Sequence, residues 1–262
     1  MDTNGSFPFG MVLGARVHAV SWDCAVGRII EWAKNRESRC VCICNVHSVV
    51  TAGKDANFQT AINSADLATP DGMPVAWVLR ATGFPKQARI SGPDLLWRVC
   101  ESVSGSETSV FFYGSTEETL TQLRSSLNRK LPALRIAGLH SPPFRPLSAA
   151  EDEEITRTIN QSGAGIVFVG LGCPRQETWV AAHRGRIDAT MIGVGAAFDF
   201  HAGHVARAPA WMQNGGLEWL HRLLSEPGRL WRRYLVTNSL FLLGVARQLL
   251  VARPDKQSRL SD

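Results

Sequence analysis

Gly165-Ile166-Val167-Phe168-Val169 is an apolar run that stops at Gly170-Leu171-Gly172 and passes through Cys173-Pro174-Arg175 into a helix-forming stretch from Gln176 to His183. A short, continuous apolar segment closed by glycine reads as a strand buried on both faces. The same unit recurs on either side. Ser109 to Tyr113 is predicted as a strand, Gly114-Ser115-Thr116 as a turn and Glu117 to Leu131 as a helix. Leu134 to Leu139 follows as a strand, Glu151 to Gln161 as a helix, and Ala189 to Val194 as a further strand. Strands alternating with helices predict an α/β fold, a Rossmann-like parallel sheet layered with helices. Ligands of such sheets bind beyond the carboxyl ends of the strands. Gly114-Ser115, Gly170-Leu171-Gly172 and Gly193-Val194-Gly195 are therefore expected to face one crevice.

Toward the N-terminus, Cys24 to Asn35 has helical spacing, and Cys40-Val41-Cys42-Ile43-Cys44 is a buried-strand run ending in Asn45. An Ala-rich helical stretch spans Ser48 to Ser64, and Leu67-Ala68-Thr69-Pro70-Asp71-Gly72 carries turn residues before a helix restarts near Met73. Ile90-Ser91-Gly92-Pro93-Asp94 breaks the chain again, with Asp94 as the expected cap of a helix from Leu95 to Val103. Residues 1–205 are read as one α/β domain, with a division into sub-lobes at about 1–105 and 106–205 left open. Residues 206–262 are read as a basic amphipathic helical appendage that associates with a membrane and completes the site. From Trp219 to Arg253 the acidic residues are Glu226 alone, against Arg222, Arg229, Arg232, Arg233, Arg247 and Arg253 among Trp, Leu and Phe. Leu235 to Val251 is short for a membrane span and contains Thr237, Asn238, Ser239, Arg247 and Gln248, so it reads as interfacial.

The 262 residues are 45% hydrophobic and 19% charged, which excludes wholesale disorder and suits a sizeable core. Twenty-eight Lys and Arg against 23 Asp and Glu leave a formal charge of +5. That excess suits a nucleic acid, an anionic membrane or a phosphorylated substrate equally, so the location of the charge has to decide. None of the six cysteines is paired in C-x-x-C spacing, and Met1 to Gly14 has no basic segment followed by an apolar run. Free thiols in a reducing cytoplasm are expected.

The turn at Gly170 opens a helix, where backbone N–H groups and the helix dipole can hold a phosphate. A dinucleotide fingerprint is nevertheless unsupported, because Arg175 stands at its third glycine and Phe198 fails the turn at Gly193 in the same way. Gln176 and Glu177 bring hydrogen-bonding side chains that suit a sugar or a uracil, or simply a cap. Asp71, between Pro70 and Gly72, has the placement a general base needs, although an Asp in such a turn can also serve only its own backbone. Asp199, His201 and His204 lack the H-E-x-x-H arrangement, so no metal site is assigned. The sequence has no D-x-D triplet, so a diphosphate leaving group would need arginines in place of a bridging metal. Arg222, Arg229 and Arg232 share one helical face if the segment is continuous, and Pro227 makes a break there conceivable.

Taken in order, Thr69-Pro70-Asp71-Gly72, Arg89 to Leu95, Gly170 to Glu177, Gly193 to Asp199, Arg207-Ala208-Pro209 and Gly216-Leu217-Glu218-Trp219 resemble the WecG/TagA/CpsF glycosyltransferases, glycosyltransferase family 26. The resemblance implies inverting transfer of a hexose or N-acetylhexosamine-type sugar from a UDP-sugar donor. The acceptor would be a polyprenyl-diphosphate-linked saccharide at the cytoplasmic face of the inner membrane, in exopolysaccharide or cell-surface polysaccharide assembly. It implies peripheral attachment, and no cofactor, metal or nucleic acid; self-association stays open. Asp71 matches the family's proposed catalytic base. Asn45, Arg89, Gly170, Gly172, Pro174, Gln176, Glu177 and Arg207 are the candidate substrate-binding residues, and Arg222, Arg229 and Arg232 match arginines thought to close over the diphosphate. Members often carry Thr two residues before the pocket Asn, where this chain has Ile43. The donor sugar, acetamido or plain glucose, is therefore left open. The rival readings are a nucleotide-dependent oxidoreductase and a non-catalytic nucleotide-binding membrane adaptor.

Overall fold

A computed structural model describes residues 7–251. The chain begins with a hairpin, β1 (Phe9–Val12) and β2 (Ala15–His18), then α1 (Trp22–Lys34) and β3 (Arg39–Cys44). It continues through α2 (Val46–Ala52), α3 (Ala56–Asn63), β4 (Leu67–Pro70), α4 (Met73–Ala81) and α5 (Gly92–Val103). The alternating half comprises β5 (Val110–Gly114), α6 (Glu117–Lys130), β6 (Ile136–His140), α7 (Ala149–Gln161), β7 (Ile166–Gly170), α8 (Arg175–Ala182), β8 (Thr190–Gly193) and α9 (Ala197–Ala202). Three helices follow: α10 (Ala210–Asn214), α11 (Glu218–Ser225) and α12 (Pro227–Val251).

Among the described residues, β3 to β8 form one parallel sheet in the order β4-β3-β8-β7-β5-β6, as the repeated strand-helix unit predicts. The pleat sends alternate side chains to opposite faces. In β3, Val41 and Ile43 enter a core with Ile29 of α1, Leu96 of α5, Leu123 of α6 and Phe198 of α9. Cys40, Cys42 and Cys44 enter the opposite core with Val49 of α2, Ile62 of α3, Leu79 of α4 and Val180 of α8. The alternating cysteines are thus small buried side chains, and burial pushes the Cys40 thiol up.

Several local expectations need correction. The stretch from Ser48 to Ser64 is two helices, because Gly53-Lys54-Asp55 interrupts it and Asp55 Oδ1 accepts from the Asn57 and Phe58 N–H groups, both at 3.0 Å. Asp94 is not the cap of α5. Ser91 is the N-cap residue, and Asp94 sits in the first turn, accepting from the Ser91 hydroxyl and pairing with Arg207. The hairpin of β1 and β2 has no counterpart in the sequence reading.

The C-terminal helix is not a clear basic appendage. Phe241 of α12 is buried in the core beneath α2, a burial that contributes about 1.5–3 kcal/mol. Gln248 fastens the same helix to the hairpin turn, accepting from Leu13 N at 3.0 Å and donating to Met11 O at 2.6 Å. No helix among the described residues is long and apolar enough to cross a membrane.

The register places the ends of four strands side by side. Cys44 pairs with Pro70, Cys42 with Gly193 and Val169 with Gly193, so the residues following β3, β4, β7 and β8 emerge at one edge. The turn after β5 differs: a Cβ on Gly114 would lie 2.6 Å from the Gly170 carbonyl. Gly114 lies beside Gly170 in the sheet, yet neither it nor Ser115 lines the cavity there, so two glycine turns border it where three were expected.

Candidate active site

Asp71 is held by the sheet. Its N–H donates to Cys44 O at 2.9 Å, and Gly72 then turns the chain into α4 with φ of +84°, a conformation glycine adopts without penalty. The Ile90 N–H donates to Pro70 O at 2.8 Å, which brings Arg89 alongside. Arg89 Nε stands 3.6 Å from Asp71 Oδ1, while its Nη2 is 2.8 Å from Glu218 Oε2 and 4.0 Å from Asp94 Oδ2. Burial pushes the Asp71 carboxyl up to about 6. Arg89 opposes that shift, Glu218 and Asp94 add to it, and Arg222 opposes it more weakly. A carboxylate titrating there is ionised at neutral pH and more basic than an exposed one, which suits a general base.

Asp71, Asn45 and Arg222 line two adjoining cavities. The smaller, about 270 Å³, lies over the turns after β7 and β8 and includes Gly170, Gly172, Gln176, Glu177, Gly195 and Asp199. Gln176 is fixed there, its Oε1 accepting from Gly195 N and its Nε2 donating to Glu177 Oε1, both at 3.0 Å. Burial pushes the Glu177 carboxyl up to about 7, against hydrogen bonds from its own backbone, Gln176 and the Cys173 thiol. Gly170 must lack a side chain because a Cβ would stand 2.7 Å from the Phe198 ring. This cleft is polar, and its donors and acceptors can bind a nucleotide or a sugar.

The larger cavity, about 670 Å³, is mainly apolar. Met73, Pro74 and Trp77 of α4 form one wall, Trp219 of α11 another, and Tyr234, Phe241, Val245 and Leu249 of α12 a third. The α12 residues recur every four to seven positions, so one helical stripe faces the cavity. Leu235, Leu243 and Leu250 fall on a different stripe, each about two-thirds exposed.

Arg89 lines the apolar cavity, and Asn45 lines both while capping α2, its Oδ1 accepting from Ser48 N at 3.1 Å. Pro174, Arg207 and Arg232 line neither. Pro174 precedes α8, and Arg207 makes a two-pronged pair with Asp94 and bonds Gln213 Oε1 at 3.1 Å, behind Arg89. Arg232 is exposed, with its guanidinium 5.1 Å from the Trp231 ring. The side chain of Arg229 lies outside the described residues, as do residues 252–262. His201 stacks on Trp97 with its Nε2 2.8 Å from Pro93 O, and among the described residues no three His, Cys, Asp or Glu side chains are grouped as metal ligands would be. Glu218 and Trp77 escaped the sequence reading as site residues. Glu218 lay within a quoted motif, but only the fold shows that it reaches Arg89.

A family model described as Glycosyl transferase WecG/TagA/CpsF family matches residues 11–255. An N-acetylglucosaminyldiphosphoundecaprenol N-acetyl-beta-D-mannosaminyltransferase of Bacillus spizizenii is 30% identical over 212 residues, 80% of each chain. A protein of the same description from Bacillus subtilis is 30% identical over 192 residues, 73% of each chain.

Proposed function

Because the chain belongs to the WecG/TagA/CpsF family of glycosyltransferases, we propose that it moves a hexose or N-acetylhexosamine-type sugar from a UDP-sugar onto a polyprenyl-diphosphate-linked saccharide, with inversion at the anomeric carbon. The observation that carries this reading is the shared border of the two cavities. Asp71, Asn45 and Arg222 belong to both. A nucleotide sugar suits the polar cleft over the glycine turns, and an isoprenoid-linked acceptor suits the larger apolar cavity. The acceptor in the relatives' name, a diphosphoundecaprenol carrying N-acetylglucosamine, has that chemistry.

At the border, Asp71 accepts the proton of an acceptor hydroxyl while that oxygen forms its bond to the anomeric carbon. The bond from that carbon to the UDP oxygen breaks, and its electron pair leaves with the diphosphate. Arg222, which lines both cavities, stabilises the departing charge. The oxidoreductase and adaptor readings are set aside by the family match.

We place the reaction at the cytoplasmic face of the inner membrane, in exopolysaccharide or cell-surface polysaccharide assembly. The exposed Trp231, Leu235, Leu243 and Leu250 support peripheral attachment there. The test is UDP release from a panel of UDP-sugars with a short-chain lipid-diphosphate saccharide acceptor, with and without EDTA. Acceptor-dependent release that survives chelation is expected. Absence of release with every donor, or a strict need for Mg²⁺ or Mn²⁺, defeats the mechanism.

A further inference from the structure

α11 has no buried residue, yet it carries Arg222, the one arginine among the described residues that borders both cavities. With no side chain buried and Trp219 only edge-on to Tyr234 at 6.0 Å, α11 leans on a polar anchor as well. Glu218 supplies it: its Oε2 lies 2.8 Å from Arg89 Nη2, with side chains 22% and 10% exposed. An ion pair this enclosed holds its geometry, because separating it strands a poorly solvated charge. One turn further along, Arg222 lies over the Phe200 ring at 5.5 Å, reaching the polar cleft from the same helix. Just before α11, Gly216 lets the chain pass so close to Trp77 that a Cβ would stand 2.8 Å from its ring.

Arg89 faces three carboxylates, with Asp94 the farthest at 4.0 Å. It makes the 2.8 Å contact with Glu218 and stays 3.6 Å from Asp71. We propose that Glu218 is a positioning residue, whose ion pair with Arg89 docks α11 so that Arg222 borders both cavities and keeps the Arg89 guanidinium from closing on Asp71. The proposal rests on the reading of Asp71 as the base.

The groups facing Asp71 are Arg89, Asp94 and Arg207 from the loops and α5, Glu218 and Arg222 from α11, and the Cys44 thiol from β3. Of the two from α11, Glu218 raises the Asp71 carboxyl more than Arg222 lowers it. Removing the Glu218 charge, with Arg89 released toward Asp71, moves that carboxyl down. A weaker base then remains.

The test compares wild type, Glu218→Gln and Glu218→Asp by amide hydrogen exchange of residues 218–225 and by the pH dependence of kcat/KM with a soluble acceptor. In Glu218→Gln, exchange across α11 should rise about tenfold or more while β3 and β7 stay protected. The acid limb should move down by about one pH unit, and kcat should fall about tenfold. Glu218→Asp keeps the charge and should recover most of the turnover. Unchanged exchange in α11, or an acid limb that stays in place, overturns the proposal. Failure of the base reading looks different: Asp71→Asn would then turn over normally and wild type would show no acid limb. The exchange result would still decide whether Glu218 holds α11.

Discussion

Arg89 stands close enough to Asp71 to attract its carboxylate, at 3.6 Å from Nε to Oδ1, but its tighter contact is with Glu218. The carboxyl consequently remains dominated by burial and titrates at about 6. If Asp71 is the base, kcat/KM should rise with pH through about 6 and level off above it. Asp71→Asn keeps the shape but cannot take the proton, so turnover should fall on the order of 10²-fold or more while UDP-sugar binding changes little. Initial rates of UDP release between pH 5 and 8, with titration calorimetry for binding, check both. A variant with near-wild-type turnover would make Asp71 structural.

The same burial has a consequence for stability. A carboxyl raised from its ordinary 3.8 to about 6 binds its proton more tightly in the folded than in the unfolded chain. Folding is therefore favoured below about 4, and that contribution is lost as pH rises through 6. At pH 8 the ionised Asp71 opposes folding, and Asp71→Asn should raise stability by on the order of 1–3 kcal/mol. Near pH 4 the two proteins should melt alike. Thermal denaturation at the two pH values checks this, and a gain of equal size at both would show that the ionisation is not responsible.

The parts of this molecule that were legible in sequence are those where local pattern and final environment agree. β7 and β8 are apolar runs ended by glycine because both faces are covered and the chain must turn at once. The alternating cysteines of β3 share a face for the same geometric reason. Asp71, Asn45 and the Gly170 turn could be located because each follows a strand. What failed depends on contacts distant in sequence. The composition of α12 suggested an appendage that meets a membrane and completes the site, but it does not show that Phe241 enters the core or that Gln248 meets the hairpin 235 residues earlier. Arg207 belongs to a network behind Arg89 through Asp94, and Glu218 reaches the site only because α11 lies across it.

Gly92, at the centre of the segment Arg89 to Leu95, has no room for a side chain. At the start of α5, a Cβ there would stand 2.7 Å from the Val194 carbonyl oxygen, a backbone atom that cannot rotate away. Gly92→Ala should cost about 1–3 kcal/mol and push the Gly193 turn off Gln176, raising the KM for the donor. Gly27, inside α1 with nothing within 4 Å of its Cβ position, is the opposite case. Gly27→Ala should stabilise by about 0.5–1 kcal/mol. Chemical denaturation of both variants tests the contrast, and equal effects would mean that the packing at Val194 is not what constrains position 92.

Attachment to the membrane can be separated from the walls of the apolar cavity. Removing everything from Leu235 onward would also delete Phe241 and Val245, which line that cavity, so loss of activity would follow for two reasons. Leu235, Leu243 and Leu250 offer a cleaner probe. They are spaced eight and seven residues apart, share one exposed stripe of α12 and line neither cavity. Replacing all three by Ser removes about 1.5–3 kcal/mol of apolar insertion per fully buried side chain while leaving every arginine in place. Cosedimentation with anionic liposomes should drop severalfold, whereas turnover with a soluble acceptor should stay within about twofold of wild type. Arg222→Ala should show the reverse, because its charge belongs at the border of both cavities. If the leucine variant sediments as before, this stripe does not meet the membrane; if Arg222→Ala loses only cosedimentation, the diphosphate is stabilised elsewhere.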